Sequence, residues 1–175
     1  VNPVNTVING MGLQGSYLDI NLYSDATFLL EGITFTGFNN SEVTFEFGVS
    51  GGYWDDGLFA VKYCRFLHNS SQSSIVRIYG PQLKFINNLV AQNSIGAFGG
   101  AVLLSYGIGL STMVIANNNT IANNTGGSGL RVRGNSDTEL SDRISEIAHN
   151  IITNNGTPNL DLSQLSIVNP ILIYG

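Results

Sequence analysis

Asn88-Leu89-Val90-Ala91-Gln92-Asn93, Asn119-Thr120-Ile121-Ala122-Asn123-Asn124 and Asn150-Ile151-Ile152-Thr153-Asn154-Asn155 are three copies of one six-residue phrase. Each opens and closes on asparagine, carries an apolar β-branched residue in third place, and starts 31 residues after the last. A period of that length marks a stacked chain, in which each repeat covers an apolar face its neighbour cannot cover alone. The third positions Val90, Ile121 and Ile152 are therefore expected to point inward.

Working outward, the closing asparagine extends back to Asn69, so that column runs Asn69, Asn93, Asn124, Asn155 at steps of 24, 31 and 31. In the same alignment Cys64 takes the opening slot and Phe66 the inward one. An earlier, imperfect copy is Gly32-Ile33-Thr34-Phe35-Thr36-Gly37-Phe38-Asn39, with Phe35 lying 31 residues before Phe66. This makes about five coils.

Gly80, Gly107 and Gly134 form a second marker at spacings of 27, each closing a short strand: 75–79, 101–106 and 130–133. Glycine after a strand marks a bend. From glycine to the next closing asparagine the distance grows from 13 to 17 to 21, so extra residues enter after the glycine. The expected fold is all-β, a single-stranded parallel β-helix solenoid, one domain over 1–175. Coils about 4.8 Å apart give a stack about 24 Å long. In the longest loop, Ser136-Asp137-Thr138-Glu139 fits a helix capping box, and Leu140, Ile144, Ile147 and Ala148 follow helical spacing, which predicts one short helix there.

Asparagine both donates and accepts, so a column of it can bond from coil to coil and form an asparagine ladder. The opening column is read this way. For the closing column two readings stand level: the same ladder, or the tolerance of asparagine for left-handed turns.

Composition agrees with short strands and turns. Of 175 residues 43% are hydrophobic, 11% charged and 21 are glycine, with mean hydropathy +0.15. Net charge is −5 and pI about 4.7, without the basic density that a nucleic-acid surface needs. No apolar run reaches the ~20 residues of a membrane-spanning helix. The start at Val1-Asn2-Pro3 suggests a processed or excised segment of a longer protein. Cys64, the single cysteine, allows no intrachain disulfide. Sequons at Asn39, Asn69, Asn118, Asn123 and Asn155 are what an Asn- and Ser/Thr-rich chain makes by chance.

Gly99-Gly100-Ala101-Val102 followed by Thr120-Ile121-Ala122-Asn123-Asn124, together with Phe66-Leu67-His68-Asn69, resembles the GGA-I/V/L and F/I-x-x-N repeats of right-handed β-helix surface proteins. These include the polymorphic outer membrane (Pmp-type) adhesins and related bacterial cell-surface repeat proteins. The likeness covers most of residues 30–156. It implies a right-handed coil and an extracellular, secreted or cell-surface setting.

That fold also houses polysaccharide lyases, polygalacturonases and epimerases, so a catalytic site has to be sought. Asp55-Asp56 is the only adjacent acidic pair, and the Gly-His-Gly and Arg-Ile-Lys elements of polygalacturonases do not accompany it. Asp137, Glu139, Asp142 and Arg143 share the long loop. His68 and His149 lack a repeated carboxylate or cysteine partner, so no metal, cofactor or triad is expected.

The better candidate is an outward strip on the glycine-closed strands. Alternation puts Val76, Ile78, Ala101, Leu103, Leu130 and Val132 inside and Arg77, Tyr79, Leu104, Tyr106, Arg131 and Arg133 outside. Arg77 is expected beside Leu104 and Arg131, and Tyr79 beside Tyr106 and Arg133, with Tyr53 and Trp54 flanking. Arginine and tyrosine suit acidic sugars or other carboxylate-bearing partners. The expected function is a non-catalytic adhesive or carbohydrate-contacting scaffold for a polysaccharide or cell-surface glycan. Its rivals are a lyase or hydrolase acting on acidic polysaccharides and a structural module pairing end to end through strands such as Val168 to Tyr174.

Overall fold

A computed structural model describes residues 6–22, 26–49, 57–106, 113–134, 145–164 and 171–174. They form an all-β parallel β-helix: three sheets of six strands each and a small one of three two-residue strands, Asn39–Asn40, Ser70–Ser71 and Ser94–Ile95, with every pairing parallel and no helix among the described residues. Sheet one stacks the short strands Thr6–Asn9, Ile33–Thr36, Arg65–Leu67, Leu89–Ala91, Thr120–Ala122 and Ile151–Thr153. Sheet two stacks Leu18–Leu22, Val43–Val49, Ser74–Gly80, Gly100–Tyr106, Ser128–Gly134 and Leu160–Gln164. Sheet three stacks Thr27–Glu31, Leu58–Lys62, Gln82–Ile86, Met113–Asn117, Ser145–Ala148 and Ile171–Tyr174. A coil visits the sheets in that order and then begins again. The coils opened at Ile33, Arg65, Leu89, Thr120 and Ile151 are the five legible in the sequence, and one more, Thr6 to Glu31, precedes them without a column asparagine.

The interior follows from the third-position rule. Phe35, Phe66, Val90 and Ile121 are adjacent in register on sheet one and fully buried. Phe35 and Phe66 stack with centroids 5.3 Å apart. Phe45 and Phe47 from sheet two and Phe59 from sheet three close the same end of the core, which changes to Val, Ala and Ile in later coils. Each such side chain contributes about 1.5–3 kcal/mol by leaving water.

Both asparagine columns are ladders. Asn88 N–H and Nδ2 donate to Asn119 Oδ1 at 2.9 and 3.1 Å, and Asn119 repeats the pair to Asn150 at 2.9 and 3.0 Å. Each Nδ2 also reaches back one coil to a carbonyl: Asn88 to Val61, Asn119 to Phe85 and Asn150 to Ala116. The closing column does the same through Asn69, Asn93, Asn124 and Asn155, and Asn159 accepts from Asn155 where a next-coil asparagine would stand. Cys64 fits the opening column in function as well as position. Its N–H donates to Asn88 Oδ1 at 2.9 Å, and its thiol faces Leu30 O at 3.7 Å, the place where Asn88 Nδ2 meets Val61 O in the next coil.

The left-handed conformation belongs to the residue before each ladder member. Tyr63, Asn87, Asn118 and His149 hold it ahead of the opening column, and Gly37, His68, Gln92, Asn123 and Asn154 ahead of the closing one, with φ from 52° to 67°. The two histidines thus occupy one kind of slot, a turn position. The second reading of the closing column moves one residue upstream.

Three expectations change. The predicted helix is not found where it can be seen: Ile147 and Ala148 lie in the strand Ser145–Ala148, while Ser136 to Ile144 lie outside the described residues. The glycine column fails at its middle member, because the register sets Gly80 beside Tyr106 and Tyr106 beside Gly134. Consequently Leu103 and Leu104 exchange faces: Leu104 joins the core, and Leu103 stands on the outer face between Arg77 and Arg131, where it is nonetheless buried. The cause is a second variable corner. From the closing asparagine to the sheet-two strand the chain takes five residues after Asn69, seven after Asn93 and four after Asn124, counted to Ser74, Gly100 and Ser128. Coils pass so closely there that a Cβ at Gly99 would overlap the Ser73 carbonyl, and one at Gly126 the Ile95 carbonyl, which explains the glycine pairs.

Candidate functional site

Sheet two presents two outward columns. Asp19, Glu46, Arg77, Leu103, Arg131 and Asp161 are neighbours in the first, and Asn21, Gly48, Tyr79, Ser105 and Arg133 in the second. Of the five expected binding residues, Arg77, Tyr79, Arg131 and Arg133 therefore share one face. Tyr106 does not flank Tyr79 and Arg133: it pairs with Gly80 and Gly134, and Ser105 takes its expected place, because of the shifted register. Its side chain, with Tyr53, Trp54, Asp55, Asp56, Gly107, Asp137, Glu139, Asp142 and Arg143, lies outside the described residues.

The columns pair charges along the stack. Arg77 bonds Glu46 at 3.1 Å. Arg131 Nε bonds Asp161 Oδ2 at 2.7 Å, with side chains only 17% and 11% exposed, and Arg131 also donates to the Phe98 carbonyl at 2.9 Å. Ser163 holds the other Asp161 oxygen through its N–H and hydroxyl, at 3.0 and 2.6 Å. These bonds, foremost that of the Ser163 hydroxyl and with Arg131 adding to them, hold the Asp161 carboxyl below its usual range. Two of the three arginines are thus committed within the face.

Arg133 differs. Its Nε is buried and has no hydrogen-bond partner among the described residues. Burial, then the charges of Arg131 and Arg77, weaken its hold on the proton, although a guanidinium stays charged. Tyr79 lies across Gly48, where any Cβ would enter the ring, and its hydroxyl donates to Asn21 Oδ1. Glycine at 48 is what lets the ring lie flat along the sheet.

One residue here escaped the sequence reading. Phe98 is 93% exposed, and its carbonyl is the one Arg131 holds. It stands in the seven-residue corner after Asn93, whose extra length was the signal available. An aromatic ring standing in water on a corner whose carbonyl Arg131 holds is a contact point rather than core that failed to pack.

The other end of the face is acidic. Tyr17, Asp19, Glu42 and Glu46 line a hollow of about 400 Å³. No group of three His, Cys, Asp or Glu suited to a metal occurs among the described residues. No helix among them is long and apolar enough to cross a membrane. Comparison with protein-family models, with curated proteins and with solved structures finds no match.

Proposed function

We propose that this chain is a non-catalytic section of a secreted or cell-surface β-helix protein, related in kind to the Pmp-type adhesins, whose sheet-two face contacts carboxylate-bearing glycans. The observation that carries this reading is Phe98, almost wholly exposed and held through its carbonyl by Arg131, at the edge of the face that also carries Arg133. An acidic glycan suits that face: the ring can stack on the C–H face of one sugar, and the Arg133 guanidinium can take a carboxylate along the chain. Tyr79 extends the surface toward earlier coils, while Arg77 and Arg131 are spent largely on Glu46 and Asp161. Binding thus centres on Arg133 rather than being shared among three arginines. The test is binding of oligogalacturonate, measured by calorimetry. Phe98→Ala and Arg133→Ala should each weaken it about tenfold, and full binding retained in both variants overturns the reading. Release of unsaturated oligosaccharides by the unaltered protein would instead make it a lyase.

Self-association is supported by a separate observation. The first coil leaves Val7, Ile8, Met11, Leu13 and Tyr17 exposed, and no described strand pairs with its outer edge. A strictly monomeric scattering mass at high concentration removes that reading.

A further inference from the structure

A groove of about 410 Å³ runs along the corner where sheet three turns into sheet one. One wall is the left-handed turn column, with Tyr63, Asn87 and Asn118; the other is the outward column of sheet one, with Thr34, Arg65 and Thr120. Four successive coils contribute, so the groove spans about 14 Å at the usual strand spacing. Its volume lies within the range of small-molecule sites.

Its chemistry is distinctive in what is left uncommitted. Among the described residues the side chains of Tyr63, Arg65, Asn87 and Asn118 have no hydrogen-bond or ion-pair partner, in contrast to Arg77 and Arg131 on sheet two. Tyr63 is 54% exposed, a large ring held in water by a turn whose φ of 54° is fixed by its place in the stack. The carboxamides of Asn87 and Asn118 stand one coil apart, each able to donate and accept. The main chain is already used: N–H groups of Tyr63, Asn87 and Asn118 donate to Ile86, Asn117 and Ala148 carbonyls. An extended peptide therefore finds no strand edge to join. A polyhydroxylated chain finds a stacking ring, paired carboxamides and two hydroxyls, with one cation and no carboxylate on the walls.

We propose that this groove binds a neutral oligosaccharide laid along the solenoid axis, with Tyr63 as stacking platform and Asn87 and Asn118 as the hydrogen-bonding pair. The site is separate from the sheet-two face and does not depend on it. The experiment titrates the full ¹⁵N-labelled chain with maltohexaose, cellohexaose and chitohexaose, with oligogalacturonate as the acidic comparison. At least one neutral hexamer should shift the side-chain amide signals of Asn87 and Asn118. Tyr63→Asn places in that turn a residue type the column already holds, and should weaken the binding about fivefold to tenfold. Asn118→Gly keeps the left-handed turn and should weaken it as well. Arg133→Ala should leave it unchanged. Absence of shifts with every neutral hexamer, shifts confined to other residues, or undiminished binding in Tyr63→Asn would overturn the proposal. Binding of oligogalacturonate alone, abolished by Arg133→Ala, would overturn it too while leaving the sheet-two reading intact.

Discussion

Asn119 stands in the middle of the opening ladder, 1% exposed, and its side chain makes four hydrogen bonds. Two serve main-chain groups: Oδ1 receives Asn88 N–H at 2.9 Å, and Nδ2 donates to Phe85 O at 2.8 Å. The other two join it to the Asn88 and Asn150 side chains, which keep further partners at Val61 O and at the backbone N–H of residue 119. Asn119→Ala therefore strips two main-chain groups at about 1–3 kcal/mol each, a loss of about 2–6 kcal/mol in all. Asn119→Asp is nearly isosteric, and it separates hydrogen bonding from packing. It preserves the acceptor for Asn88 but sets an oxygen against Phe85 O and Asn150 Oδ1, where a donor stood. Burial among acceptors raises the proton affinity of such a carboxyl above its unfolded value, so its favourable contribution is complete at low pH and disappears as pH rises through the folded value. Urea unfolding followed by circular dichroism, compared with the parent from about pH 4 to pH 7, should show the aspartate variant less stable than the alanine variant at neutral pH and recovering on acidification. An aspartate variant as stable as the parent at neutral pH, or one whose deficit does not change with pH, would refute the ladder as a source of stability.

Further outcomes follow from individual contacts. Cys64→Asn restores the missing ladder member, with Leu30 O waiting for its Nδ2, and should change stability by no more than about 1 kcal/mol in either direction; a large loss in thermal melting would show that the slot is specific for sulfur. Asp161 has a folded pKa below its ordinary value, so its stabilising contribution is present above the unfolded pKa and is lost as pH falls through the folded one; Asp161→Asn should flatten the acid limb of a stability profile, and an unaltered limb would count against the Arg131 and Ser163 bonds. Gly99→Ala drives a methyl group into the Ser73 carbonyl and should cost about 1–3 kcal/mol, read as a lowered urea midpoint; an unchanged midpoint would mean that the corner yields freely. The Cys64 thiol, fully buried with its pKa raised by desolvation, should react with a thiol reagent only on unfolding, and rapid labelling of the native protein would disprove its burial.

The legible and illegible parts divide at the corners. Positions between the two ladders keep a constant spacing, since a turn residue, an inward residue and two asparagines admit no insertion, and Val90, Ile121 and the opening-column partners came out as their spacing implied. The corner after Asn93 carries no such constraint. With two residues more there than after Asn69, the sheet-two strands stand 26 residues apart rather than the 27 between the glycines, and that difference of one exchanges Leu103 with Leu104 and moves Tyr106 off the expected row. Phe98 was hidden for the same reason: nothing periodic marks a residue in an insertion. The groove beside Tyr63 was hidden differently, because its walls come from turn and strand residues that are separate in sequence and meet only when coils stack.

By itself the sequence settled a parallel β-helix, its opening asparagine ladder, the inward positions between the two columns and the face that carries three arginines. These depend on periodic positions, and a solenoid repeats its geometry wherever the chain repeats its spacing. Only the tertiary structure decided which arginines are already paired, which aromatic rings remain in water and where polar side chains converge unsatisfied. Those properties depend on contacts between coils whose register is set at corners of variable length, and a shift of one residue there turns an outward side chain inward.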